Sequence, residues 1–203
     1  MGRIALIGNG WHPKLFREEV RALLGPVDAI HPRIVFAESK ASVLERISRA
    51  SLIDSAINSF CSIRGERVTI DAIVSKIGEW AKSNIPEGTF AVRARRIGQG
   101  VGNISRREIE EKTGSIISDG ARKVDLDSPE FEIVVILAGP EDTSSHWDDE
   151  EAGKSVLWGV RDDLSNGSYV GTSPTERPFF KPVTLDPRLA RLMVSLSYRG
   201  ETP

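Results

Sequence analysis

The sequence predicts an α+β fold in two successive modules, and three observations support that class. Short apolar runs that suit strands alternate with stripes of helical period, in an order that begins β-α-β-α-β. Glycine-containing turns such as Gly8-Asn9-Gly10, Gly25-Pro26 and Pro86-Glu87-Gly88 close several of these segments. With 39% hydrophobic and 28% charged residues over 203 positions, the chain has ordinary globular proportions and room for one large domain or two small ones.

The first module takes residues 1–62. Arg3 to Ile7 reads as a strand stopped by the glycine turn. Pro13 opens an amphipathic helix in which Leu15, Phe16, Val20, Leu23 and Leu24 share a face, and Gly25-Pro26 ends it. Arg33 to Ala37 reads as a second strand. Val43, Leu44 and Ile47 give Ser42 to Arg49 a helical stripe, while Ser51 to Ile57 fits either a strand or more helix. The order is ferredoxin-like.

The second module takes residues 63–162. Ile70, Ile73, Val74, Ile77 and Trp80 line one face of a helix over Val68 to Ala81, with Thr69 as its N-cap. Phe90 to Arg95 alternates like a half-buried strand. Ser105 and Glu108 fit the S-x-x-E capping box of a helix whose inner face is Ile109, Thr113, Ile116 and Ile117. Lys123 to Leu126 reads as a short strand and Phe131 to Leu137 as a central one, with Val156 to Arg161 beside it.

Residues 163–203 read as a linker and a helix. Asp163 to Glu176 is rich in small polar residues, and Pro178 and Pro182 stiffen the chain around Phe179 and Phe180. Asp186 caps a helix starting at Pro187, on which Leu189, Leu192, Met193 and Leu196 form an apolar stripe seeking a partner.

Several function classes find no support. Cys61 is the single cysteine, which excludes an intrachain disulfide and fits a reducing, cytoplasmic setting. No apolar run is long enough to span a membrane. The acidic stretch Glu141 to Glu151 surrounds His146 but offers no second histidine or cysteine, so no metal site is assigned. His12, His31 and His146 lie in turn-like contexts without a nucleophile motif, and no catalytic residue is assigned. Glu18 and Glu19 read as solvated.

The most informative stretch is Arg93 to Gly114, where five arginines surround a glycine-rich loop. A dinucleotide fingerprint needs G-x-G-x-x-G after a buried strand. Here Gly98, Gly100 and Gly102 give G-x-G-x-G after a strand that alternates with arginine. A phosphate-backbone reading fits better. Phe90, Val92 and Ala94 point inward, Arg93 and Arg95 point outward together, and Arg96 turns to the other face. Arg106 and Arg107 stand in the first turn of a helix, where the dipole disfavours cations and favours anions. An anion docked there collects free N–H groups, the dipole and both arginines. Thr89 to Lys123 holds eight basic and four acidic residues, a local charge of +4 in a chain of −2. Charge alone leaves open a solvated face with internal ion pairs.

F-A-V-R-A-R-R-I-G (Phe90 to Gly98), S-R-R-E-I-E (Ser105 to Glu110) and K-V-D-L-D-S-P-E-F-E-I-V-V-I-L (Lys123 to Leu137) resemble the THUMP domain, a tRNA-binding module of RNA-modifying enzymes. R-P-F-F-K-P-V-T-L-D-P-R-L-A-R-L-M-V-S-L (Arg177 to Leu196) resembles the linker before the catalytic domain of the archaeal-type tRNA guanine-N2 methyltransferase that acts at guanosine 10. The resemblance implies a ferredoxin-like module, a THUMP domain and a linker helix, binding the single-stranded 3′ acceptor end of tRNA. By position it assigns RNA contact to Arg93, Arg95, Arg96, Gly98, Gly100, Asn103, Arg106 and Arg107, and the local charge adds Lys112 and Lys123. The D-P-F-x-G-x-G and N/D-P-P-Y motifs of such enzymes do not occur in these residues. The expectation is therefore an RNA-binding half that itself holds no cofactor. S-adenosylmethionine would belong to a catalytic domain joined in cis or carried by a separate chain. The alternatives are a small nucleotide-binding enzyme using Gly98–Gly102, and a protein-interaction adaptor using the Leu189–Leu196 stripe.

Overall fold

The computed structural model describes residues 2–65, 68–140, 153–162 and 185–197. The acidic stretch with His146, the linker 163–176, and Pro178, Phe179, Phe180 and Pro182 lie outside the described residues. The mixed α/β content agrees with the predicted class, and the chain divides into two compact units.

The first unit runs to Ala56 and includes the C-terminal helix. It is built from β1 (Gly2–Gly8), α1 (Pro13–Leu24), β2 (Asp28–His31), β3 (Ile34–Ser39), α2 (Ala41–Ile47), the start of β4 (Ile53–Arg64) and α5 (Pro187–Ser197). Up to β4 this is the β-α-β-β-α-β order, with strands arranged β2-β3-β1-β4. β1 and β3 are antiparallel, with Leu6 opposite Val35. β2 is an addition to the sequence reading. Its four residues, D-A-I-H, are too few to show a period, and it forms by pairing with β3. The Ser51 to Ile57 ambiguity resolves into the strand β4.

Two polar residues at and within α1 have roles that the sequence does not reveal. His12 is the N-cap, its Nδ1 accepting the Leu15 N–H at 3.3 Å. Glu19, expected in solvent, is fully buried. Its carboxylate accepts the Ser51 N–H at 2.9 Å, the Ser51 hydroxyl at 2.8 Å and the Leu52 N–H at 2.8 Å. The helical period places Glu19 beside Phe16, Val20 and Leu23 on the inner face, and three donors satisfy it there. Glu18 remains at the surface and pairs with Arg21 at 2.6 Å.

Asp186 caps α5 as expected, accepting the Arg188 N–H at 2.8 Å. The stripe on that helix is largely partnered within the unit. Leu192 is buried with Phe16, Val20 and Leu23, and Leu189 packs against the same cluster. Arg191 Nε donates to the Arg49 carbonyl at 2.7 Å. Met193 and Leu196 stay exposed.

The second unit, residues 57–162, holds the rest of β4, then α3 (Ile70–Asn84), β5 (Gly88–Ile97), α4 (Arg106–Ile117), β6 (Arg122–Val124), β7 (Phe131–Ala138) and β8 (Ser155–Asp162). Its strand order is β4-β8-β7-β5-β6. The apolar run of β7 is central, parallel to β5 and antiparallel to β8. Ile73, Ile77 and Trp80 of α3 and Ile109 and Ile117 of α4 pack with Phe90, Val92, Ala94, Val135 and Leu137. Thr69 caps α3 by accepting the Ala72 N–H at 3.3 Å. Ile116, assigned to the inner face, is instead 51% exposed and rests on Gly78 of α3. No helix of the described residues is long and apolar enough to cross a membrane.

Candidate nucleic-acid interface

The end of β5 sets the site. Phe90, Val92 and Ala94 face the helices, so alternation carries Arg96 to the helix side and Arg93 and Arg95 to the opposite face. β6 pairs only with Gly88 to Phe90, which leaves the outer edge of the later residues without a strand. α4 supplies the missing acceptor: Glu110 Oε1 takes the Ala94 N–H at 2.7 Å. That bond holds the start of α4 beside the end of β5.

The intervening loop is shaped by glycines. Gly98, Gly100 and Gly102 have φ of 57°, 71° and 54°, a region that other residues enter only under strain. Gln99 N–H donates to the Pro140 carbonyl at 2.9 Å, and Gly139 N–H to the Ile97 carbonyl at 3.1 Å. A methyl group on Gly98 would stand 2.4 Å from the Pro140 oxygen, and one on Gly139 would stand 1.8 Å from the Gly100 oxygen. Gly98 and Gly100 therefore have an internal role, folding the loop onto Gly139-Pro140. Gly102 faces open space. The sequence gives no sign that Gly139 packs against this loop, because A-G-P after a strand reads only as a strand end.

The predicted capping box does not form. Ser105 occupies the N-cap with extended backbone, but its side chain makes no capping bond. Glu108 turns instead to Lys112 at 3.2 Å. Arg107 pairs with Glu111 at 2.7 Å. Arg106 has no ion-pair partner among the described residues, since its i+4 carboxylate, Glu110, is committed to Ala94. Arg96 Nη2 donates to the Ile104 carbonyl at 3.0 Å. The result is an open concavity of about 1000 Å³ lined by Arg96, Asn103, Ser105, Arg106, Arg107 and Glu110, together with Ala94 and Gly102. Three guanidinium-bearing residues and an uncapped helix N-terminus converge on it, an arrangement suited to anionic oxygen.

The other predicted residues lie apart from this concavity or are engaged elsewhere. Arg93 Nη2 donates to the Leu126 carbonyl at 2.6 Å, and Arg95 is half-buried on the same face. Lys112 bridges to Asp71 of α3 at 3.0 Å as well as to Glu108, and hydrogen bonds to Asp71 and then Glu108 raise its pKa above the ordinary lysine value. The bond to Glu111 likewise raises that of Arg107. Lys123 stands opposite Thr89 at the start of β5, roughly 20 Å along the strand from Arg96.

Residues 67–139 match the family model of the THUMP domain. Over that stretch the chain is similar to a THUMP domain. The match covers α3 through β7 and every residue of the concavity. The chain is also 27% identical over 199 residues to the tRNA (guanine(10)-N2)-dimethyltransferase of Methanothermobacter thermautotrophicus, covering 92% of this chain and 52% of that protein. It thus spans about half the length of that curated relative. Among solved structures, TrmN from Thermus thermophilus shares the fold with a TM-score of 0.57 at 18% identity, over 97% of this chain and 54% of that one. PH1313 from Pyrococcus horikoshii Ot3 does so with a TM-score of 0.51 at 17% identity, over 79% and 54%. The THUMP domain and the methyltransferase relative agree with the family resemblance read from the sequence.

Proposed function

We propose that this chain is the tRNA-binding part of a tRNA guanine-N2 methyltransferase, and that its THUMP domain docks the single-stranded 3′ acceptor end. The observation that carries this reading is the concavity at the uncapped start of α4, where Arg96, Arg106 and Arg107 meet Asn103 and Ser105. Phosphate oxygens accept from arginines and from helix N–H groups, while Asn103 and Ser105 offer hydrogen bonds to sugar or base edges. Arg93, Arg95 and Lys123 add longer-range attraction. On this reading residues 1–62 are a ferredoxin-like companion module, residues 63–162 the THUMP domain, and residues 163–203 the connection to a catalytic domain in cis or on a separate chain. The compartment is the cytoplasm, where tRNA is modified.

Methyl transfer from S-adenosylmethionine would be the work of that catalytic domain. The glycine loop does not fit the cofactor as a cradle, because Gly98 and Gly100 are closed against Pro140 and Arg96. The same packing argues against the small nucleotide-binding enzyme.

Filter binding of the chain to intact tRNA and to tRNA trimmed of its 3′ terminal nucleotides, at two salt concentrations, tests the proposal. Salt-sensitive binding that is lost on trimming is expected. Equal binding to both RNAs would contradict docking of the acceptor end.

A further inference from the structure

We propose that Trp11, in the first unit, is a stacking platform for an unpaired RNA base, a second contact point separate from the THUMP concavity. This rests on the tRNA-binding reading above. Trp80 and Trp158 are buried, at 7% and 3% exposure, and both belong to the core of the second unit. Trp11 is 59% exposed, a large aromatic residue standing in solvent.

The loop that carries it is fixed on several sides. Gly8 N–H donates to the Arg33 carbonyl at 2.9 Å and Asn9 N–H to the Leu52 carbonyl at 2.9 Å. Arg33 returns two bonds to the Gly8 carbonyl, from Nε at 3.2 Å and Nη2 at 3.1 Å. Asn9 Oδ1 accepts the Trp11 N–H at 3.2 Å. The neighbouring His12 is fixed as the N-cap of α1, and its ring meets the indole edge-on, with centroids 6.0 Å apart and planes at 69°. An aromatic held at the surface by such a loop loses little further freedom when a flat ligand stacks on it.

The surroundings select the ligand. The first turn of α1 contains no acidic residue, and it carries Lys14, exposed and without an ion-pair partner among the described residues. The Glu18 carboxylate is neutralised by Arg21. An exposed indole just ahead of a helix N-terminus whose first turn carries a lysine suits a planar group attached to an anion, which is the chemistry of a nucleotide in a single strand.

The test is a tRNA titration with wild-type chain, Trp11→Ala, Trp11→Phe and the double variant Arg106→Ala/Arg107→Ala, each first checked for unchanged melting. Trp11→Ala is expected to weaken binding about tenfold, and Trp11→Phe to retain most of the affinity, as stacking predicts. The salt slope of Trp11→Ala should match wild type, because no charge is removed. Intrinsic fluorescence should also be quenched more by tRNA in wild type than in Trp11→Phe. Unchanged tRNA affinity in Trp11→Ala, with affinity still lost in the arginine double variant, would overturn the platform alone and leave the indole to a protein contact. Absence of tRNA binding by the wild-type chain would overturn the tRNA-binding reading and the platform with it.

Discussion

Glu110 accepts the backbone N–H of Ala94 at 2.7 Å, and this one bond explains much of the candidate site. It closes an edge of β5 that β6 is too short to reach. It also withdraws Glu110 from Arg106, leaving that guanidinium available at the start of α4. Glu110→Ala strands a buried N–H and should lower unfolding stability by about 1–2 kcal/mol. Urea denaturation of the variant measures this, and Glu110→Gln, which keeps an acceptor, should lose less.

The glycine loop makes a second prediction. Gly139→Ala forces a methyl group into the Gly100 carbonyl, and Gly98→Ala adds a left-handed φ to a clash with Pro140. Each should cost about 2–4 kcal/mol. Gly102→Ala meets open space and should cost only the backbone penalty of about 1–2 kcal/mol. Thermal melts of the three variants would give that ranking. Gly102→Ala as damaging as the other two would argue against the packing account.

Glu19 provides a third. Removing a fully buried carboxylate leaves the Ser51 N–H, the Ser51 hydroxyl and the Leu52 N–H without their acceptor. Glu19→Ala should destabilise the first unit by about 3–5 kcal/mol, and Ser51→Ala, which removes one donor, by about 1 kcal/mol. Chemical denaturation monitored by circular dichroism separates the two.

A fourth concerns acid. The N–H groups of Arg122 and Ala121 hold the Asp119 carboxyl below the usual aspartate range, with the Arg122 side chain assisting. A lowered folded value contributes stability above the ordinary aspartate pKa, and that contribution is lost as pH falls through the folded value. Asp119→Asn should therefore melt below wild type at neutral pH, and the two should converge under strong acid. A gap independent of pH would contradict the ionic origin.

Much of the fold was legible because its elements announce themselves locally. Pro13 and Gly25 bracket α1, Thr69 and Asp186 mark helix starts, and the apolar run of β7 marks the centre of the second unit. What escaped depends on partners distant in sequence. β2 exists because β3 lies beside it, and Glu19 is buried because Ser51 and Leu52 bring three donors. The site was half legible. Alternation turns Arg96 away from Arg93 and Arg95, yet only the placement of α4 shows that the helix side is where the arginines converge. The S-x-x-E pattern marks the start of α4 correctly, but Glu108 lies against Lys112 and the reciprocal capping bonds do not form.

The central claim is that RNA phosphate docks where α4 begins. The most direct measurement is tRNA affinity as a function of salt for wild type, Arg106→Ala/Arg107→Ala and Arg93→Ala/Arg95→Ala. The account predicts that the α4 pair weakens binding strongly and lowers the salt slope by about 1–2, while the sheet-face pair has the smaller effect. Wild-type affinity and slope in Arg106→Ala/Arg107→Ala would contradict it.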